Sequence, residues 1–128
     1  MIPRRPGRSP KTVLQQHPDL CGIVGNWDNQ DVGAGAAVQA AGKSGQVFIV
    51  TSGGGSKTGC DNISKGLLSE IVSYDVPLQG DALNQAIVEL LLSPAKAGAI
   101  QTTYFTPLTL QTKDTISPRQ CWTLDDLK

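Results

Sequence analysis

The stretch Gln46-Val-Phe-Ile-Val-Thr-Ser-Gly-Gly-Gly-Ser-Lys-Thr58 decides the architecture. Its first half, Gln46 to Thr51, is rich in β-branched and aromatic residues and has the length of a strand. Ser52-Gly53-Gly54-Gly55-Ser56 follows as a loop whose glycines tolerate unusual dihedrals. A short helix over about Thr58 to Lys65, closed by Gly66, completes the unit. The same design recurs upstream. Leu20 to Gly25 reads as a short strand of the kind buried on both faces, and Gln30 to Ala41 as a helix with Val32, Ala36, Ala37 and Ala40 on its apolar stripe and Gly42 at its cap. Gly33, Ala34 and Gly35 are small enough to let that helix approach a sheet closely. Before it, Thr12 to Gln16 reads as the last turns of a helix stopped by His17-Pro18. Downstream, Leu67 to Tyr74 holds a third strand centred on Ile71 and Val72, and Asp75-Val76-Pro77 leaves it. Leu78 to Leu92 is the strongest helix, because Leu83, Ala86, Ile87, Leu90 and Leu91 recur at three- and four-residue spacing. Gln101 to Lys113 alternates and predicts one or two final extended segments broken at Pro107. The order predicts an α/β chain with a largely parallel sheet flanked by helices.

The 128 residues fit one domain, with 39% hydrophobic and 17% charged residues, and exclude a wholly disordered or collagenous chain. The formal neutrality, 11 basic against 11 acidic residues, hides an asymmetry: Arg4, Arg5, Arg8 and Lys11 crowd the first eleven positions. Residues 12–128 are therefore net acidic, which argues against a nucleic-acid partner. Residues 1–11 read as a basic, Pro-rich, disordered arm, residues 12–115 as the α/β domain and residues 116–128 as a C-terminal tail. The arm lacks the apolar segment of a secretory signal, and no apolar run is long enough for membrane insertion. Cys21, Cys60 and Cys121 are odd in number and widely spaced, so the sequence signals neither a disulfide framework nor a zinc site.

In an α/β sheet of this kind ligands bind beyond the carboxyl ends of the strands. Asn26-Trp27-Asp28, Ser52-Gly53-Gly54-Gly55 and Tyr74-Asp75 stand at those ends, which makes Trp27, Asp28, Ser52, Gly53, Tyr74 and Asp75 the candidate ligand-binding residues. An indole packs on the C–H face of a sugar or polyol while carboxylates and amides take its hydroxyls. Each residue also has a plain structural role available: Trp27 and Tyr74 as packing, Asp28 as a helix cap. A phosphate-binding loop fails at Thr51 and Ser56, where its diagnostic glycines belong. A dinucleotide fingerprint ends in Thr58 rather than Gly or Ala, although Asp75 lies where a ribose-binding acid is expected. With His17 as the single histidine and no GxSxG elbow, nucleophilic catalysis has no visible parts, and no cofactor is signalled.

His17-Pro-Asp-Leu-Cys-Gly-Ile-Val-Gly-Asn-Trp-Asp28, Asp31-Val-Gly-Ala34 and Gln39-Ala-Ala-Gly-Lys43 together resemble a segment in the C-terminal lobe of type I periplasmic sugar-binding proteins of the ribose-binding type. The likeness continues in order through Val47 to Val50, Gly66, Tyr74 and Pro77-Leu-Gln-Gly80, and covers about residues 12–115. The resemblance implies a non-catalytic, periplasmic solute receptor that serves the membrane subunits of an ABC importer, present as a truncated C-terminal portion. It also implies that Trp27 contacts ligand and that Tyr74 stands at a hinge contact. The family's Gly-Phe-Asp-Gly is here Ser52-Gly53-Gly54, so the sugar specificity is not carried over. In the family the helix matching Leu78 to Leu92 crosses to the other lobe, which leads us to expect a homo-oligomer through its apolar stripe. The effector-binding domain of a LacI-type transcription regulator shares the fold and is the alternative; a nucleotide-binding enzyme domain is a more distant one.

Overall fold

The structure, a computed structural model, describes residues 9–96, 98–99 and 101–127. Helix α1 spans Pro10–Gln16, strand β1 Gly22–Val24, α2 Asp28–Ala40, β2 Phe48–Gly53, α3 Lys57–Ser64, β3 Glu70–Ser73, α4 Val76–Leu92 and β4 Thr109–Thr112. Two single 3-10 turns, Pro118–Gln120 and Leu124–Leu127, follow. The strands form one sheet in chain order, β1-β2-β3-β4. The first three run parallel, and β4 lies antiparallel beside β3. This is the α/β class with a largely parallel sheet that the sequence predicts.

Local chemistry explains the boundaries. Ser9 caps α1 by accepting the Thr12 N–H at 3.3 Å, and proline opens the helix at Pro10, where its missing N–H has no partner to lose. Pro10 and Lys11 thus belong to a helix with Ser9 as its cap; residues 1–8 of the basic arm lie outside the described residues. Ser56 caps α3 through the Gly59 N–H at 3.3 Å, and Gly66 closes it at φ +72°. β2 runs two residues further than expected, so Ser52 and Gly53 pair with Val72 and Ser73 instead of lying in a loop.

The core joins Ile49 and Ile71 of the sheet to Ala34 and Val38 of α2, Ile63 of α3 and Leu14 of α1. All three helices therefore cover the same face. Two expectations are corrected here. β1 is not buried on both faces: it is an edge strand, Ile23 turns towards the core, and Val24 is 88% exposed. An apolar run records what a strand is able to bury, not what covers it. The buried side of α2 is Ala34, Gly35 and Val38, whereas Ala36 and Ala40 are exposed. In a helix built from Gly and Ala hydropathy marks no face, and close approach decides instead: a Cβ on Gly35 would lie 2.0 Å from the Leu67 carbonyl oxygen.

A third correction concerns the cysteines. Cys60 and Cys121, 61 residues apart, form a disulfide with a Cα–Cα separation of 5.9 Å, and Cys21 is an exposed free thiol. Their pairing is a tertiary contact that spacing along the chain does not encode. Beyond residue 115 the chain turns back onto the sheet: Ile116 packs against the core, and Trp122 forms a parallel bridge with Ser56. α4 stands apart. Ala86 is buried, but Leu83, Ile87, Leu90 and Leu91 are exposed.

Candidate functional site

Because β1, β2 and β3 run parallel, their carboxyl ends share one edge of the sheet. The three predicted clusters meet there. Ser52 Oγ donates to the Asn26 carbonyl at 2.6 Å, which ties the first cluster to the second. The Tyr74 N–H donates to the Gly53 carbonyl at 3.0 Å, which ties the second to the third.

Trp27 occupies the N-cap position of α2 in an extended conformation, and its side chain makes no capping bond. Asp31 supplies the missing partner one turn on: its carboxylate accepts the Trp27 N–H at 3.1 Å and also the Thr51 hydroxyl. The indole is thereby left free of capping work, and Trp27 as a residue is 47% exposed. Asp28, one residue later, is turned inward and only 4% exposed. Its carboxylate accepts the Asn29 N–H at 2.8 Å and lies against Gly53, where a Cβ would sit 2.5 Å from Oδ2. Burial pushes the Asp28 carboxyl above its ordinary range; the Asn29 N–H opposes that rise and the neighbouring Asp31 charge adds to it.

Tyr74 is half-buried, with its ring beside Gly54. Asp75 adopts a left-handed conformation, φ 48°, that turns the chain from β3 into α4, and its carboxylate caps α4 by accepting the Leu78 N–H at 3.2 Å. The edge therefore carries an exposed indole, a tyrosine, a serine hydroxyl and three carboxylates, of which Asp28 is the deepest. Lys57, the cation at the mouth of the glycine loop, is bound to Asp61 at 2.8 Å. A phosphate here would face carboxylates with its nearest lysine engaged elsewhere, whereas a neutral polyhydroxylated ligand meets acceptors and an aromatic face.

Sequence reasoning passed over Asp31, Thr51 and Trp122. Asp31 had a signal, one helical turn beyond Trp27 at a helix start. Trp122 had none: its indole N–H donates to the Gly54 carbonyl at 2.7 Å across 68 residues of chain. Two cavities lie elsewhere. One of about 380 Å³ sits between α1 and α2, lined by Leu14, Ala37 and Ala40 among others. The other, of about 250 Å³, sits beside α4 near Tyr104. Among the described residues no cluster of three or more His, Cys, Asp and Glu side chains is placed to hold a metal ion.

The family described as "periplasmic binding protein domain" matches residues 10–95. No curated protein matches the chain by sequence. Among solved structures, an ABC transporter periplasmic solute binding protein from Actinobacillus succinogenes 130z with bound D-allose is 20% identical, with a TM-score of 0.64 over 82% of this chain and 35% of that one. A glucose-galactose binding protein from Geobacillus stearothermophilus is 16% identical, with a TM-score of 0.67 over 84% of this chain and 36% of that one. The periplasmic binding protein component of the arabinose ABC transporter from Shewanella sp. ANA-3, bound to alpha and beta-L-arabinofuranose, is 22% identical, with a TM-score of 0.59 over 83% of this chain and 35% of that one. The chain spans about a third of the length of the solved structures it matches.

Proposed function

The chain belongs to the periplasmic binding protein domain family, and from that premise we propose that its strand-end edge binds a sugar or polyol. Trp27 is the stacking platform, Ser52, Tyr74 and Asp75 supply hydroxyl partners, Gly53 lets the backbone approach, and Asp28 acts from beneath. The observation that carries this reading is the convergence of an exposed indole and several acceptors on one edge, with the nearest lysine already paired. The role is that of a non-catalytic receptor portion serving the membrane subunits of an ABC importer. A periplasmic location is supported by the Cys60–Cys121 disulfide, a bond that persists in oxidising compartments. Among the described residues no helix is long and apolar enough to cross a membrane. The exposed face of α4 serves self-association in the isolated chain.

The test is a titration with D-allose, D-galactose and L-arabinose, followed by amide and indole N–H shifts. The expected result is a response confined to Trp27, Ser52, Gly53, Tyr74 and Asp75 for at least one sugar. Trp27→Ala should weaken that binding roughly tenfold, the scale of one lost aromatic contact. No response to any of the three sugars, or an unchanged affinity in Trp27→Ala, refutes the assignment.

A further inference from the structure

We infer that residues 117–122 form a strap that sets the shape of the Gly54–Gly55 loop, with Trp122 as its positioning residue and the Cys60–Cys121 disulfide as its lock. Three consecutive residues hold the strap. The Gln120 carbonyl accepts the Gln111 Nε2 donor at 3.0 Å, Cys121 is bonded to α3, and the Trp122 carbonyl accepts the Lys57 N–H at 2.9 Å. The Trp122 indole then reaches the loop itself. The Gly54 carbonyl takes both its Nε1 donor at 2.7 Å and the Val76 N–H at 3.2 Å, so one oxygen couples the strap to the first turn of α4.

The packing around Gly55 is equally specific. At φ +78° it leaves room for no side chain: a Cβ would lie 2.7 Å from Ser73 Oγ, 3.1 Å from the Gln120 carbonyl and 3.2 Å from Gln111 Nε2. Gln111 is 1% exposed, and its Oε1 has no hydrogen-bond partner. Withdrawing the strap would leave the other end of this buried amide unpaired as well. The hydrogen bonds that remain without the disulfide are few, and each is of modest net worth against the chain entropy of ordering six residues. The covalent bond decides the balance, so the strap is released on reduction.

The chemistry is ordinary exchange. One thiolate of dithiothreitol attacks the half-buried Cys121 sulfur and the Cys60–Cys121 bond breaks; its second thiol then displaces Cys121. Two electrons and two protons pass to the protein, which gains two thiols, and the reductant leaves as its cyclic disulfide. Cys21 stands at the amino end of β1, across the sheet from the strap, and takes no part.

The strap rests on these contacts alone; its bearing on ligand rests on the proposed reading of the strand-end edge. The experiment therefore needs no ligand. In the full chain carrying Cys21→Ser, backbone ¹⁵N order parameters are compared before and after dithiothreitol. We expect residues 117–122, apart from Pro118, to fall below about 0.6, while the β2–β3 ladder stays near about 0.85. Unchanged values in the strap overturn the inference, because the disulfide is then not the lock. A uniform fall across the chain also overturns it, because the bond then holds the whole fold rather than a strap. A second variant, Trp122→Phe, keeps the disulfide and removes the indole donor. Its Gly55, Tyr74 and Val76 amide resonances should shift while those of Ile49 and Ile71 stay in place; unmoved Tyr74 and Val76 resonances remove Trp122 from the positioning role.

Discussion

Asp28 and Asp31 lie three positions apart in one helix and do opposite things with a negative charge. The Asp28 carboxyl is buried, and its pKa is raised first by that burial. A group whose folded pKa exceeds its unfolded one contributes stability in full below the unfolded value and loses it as pH rises through the folded value. Asp28→Asn should therefore be more stable than the parent at pH 7, and the advantage should disappear below the ordinary aspartate value near 3.8; urea melts at both pH values measure it. Asp61 acts in the other sense, because Lys57 lowers its pKa and the support it gives is lost on acidification. Asp31 is a structural anion for two donors. Asp31→Ala removes the acceptor of the Trp27 N–H and leaves the hydroxyl of buried Thr51 only a long bond to the Ser52 carbonyl at 3.4 Å, and should cost about 1–3 kcal/mol in a denaturant melt, with Thr51→Val in the same background restoring part of it. At this scale the sequence was legible where position alone carries meaning. A residue at a strand end is at the edge whatever its side chain does, and all six candidates lie there. The direction of the side chain was not legible: Asp28 turns beneath Gly53 because a helix begins at that residue and glycine leaves room for it.

Among the elements, α2 shows most directly what hydropathy leaves unsaid. Its glycines at 33 and 35 look equivalent in sequence, yet a Cβ at Gly33 meets nothing within 4 Å and one at Gly35 would lie 2.0 Å from the Leu67 carbonyl. Gly33→Ala should stabilise the protein by up to about 1 kcal/mol through helix propensity. Gly35→Ala should push α2 off the segment before β3 and lower the melting temperature; paired thermal melts separate the two, and similar effects would refute the packing argument. Of the expected stripe, Val32 and Ala37 pack against the core, whereas Ala36 and Ala40 are exposed, because alanine is compatible with either side of a helix. Strands and caps were easier to read. β-branched runs named β2 and β3, and Gly42 and Gly66 mark helix ends with positive φ, which side chains seldom adopt.

For the whole molecule, two features turn on partners that no local segment of the sequence names. The disulfide closes a loop of 61 residues, and the chain-entropy account assigns such a link about 4 kcal/mol. Oxidised and reduced forms should differ by that order in the unfolding free energy from urea melts, with the slope showing whether the unfolded state has also changed. The second is the bare face of α4. Leu83, Ile87 and Leu90 recur at helical spacing and are exposed among the described residues. The chain should therefore associate in sedimentation velocity, and the double variant Leu83→Glu, Leu90→Glu should be monomeric at similar stability. A wild-type chain that is monomeric at all concentrations would rule out that interface. Both features depend on partners distant in the chain or outside it, which periodicity within a segment does not report.

The chain has two tryptophans, and both stand at the same edge: Trp27 where β1 ends and Trp122 on the carbonyl that follows β2. Trp122 is also the immediate neighbour of a disulfide sulfur, a strong quencher of indole emission. The ultraviolet fluorescence of the oxidised protein should then come chiefly from Trp27, and breaking the Cys60–Cys121 bond should brighten a second, distinguishable emitter. The molecule thus carries its own optical gauge, with ligand and redox state written on different lamps and no dye attached.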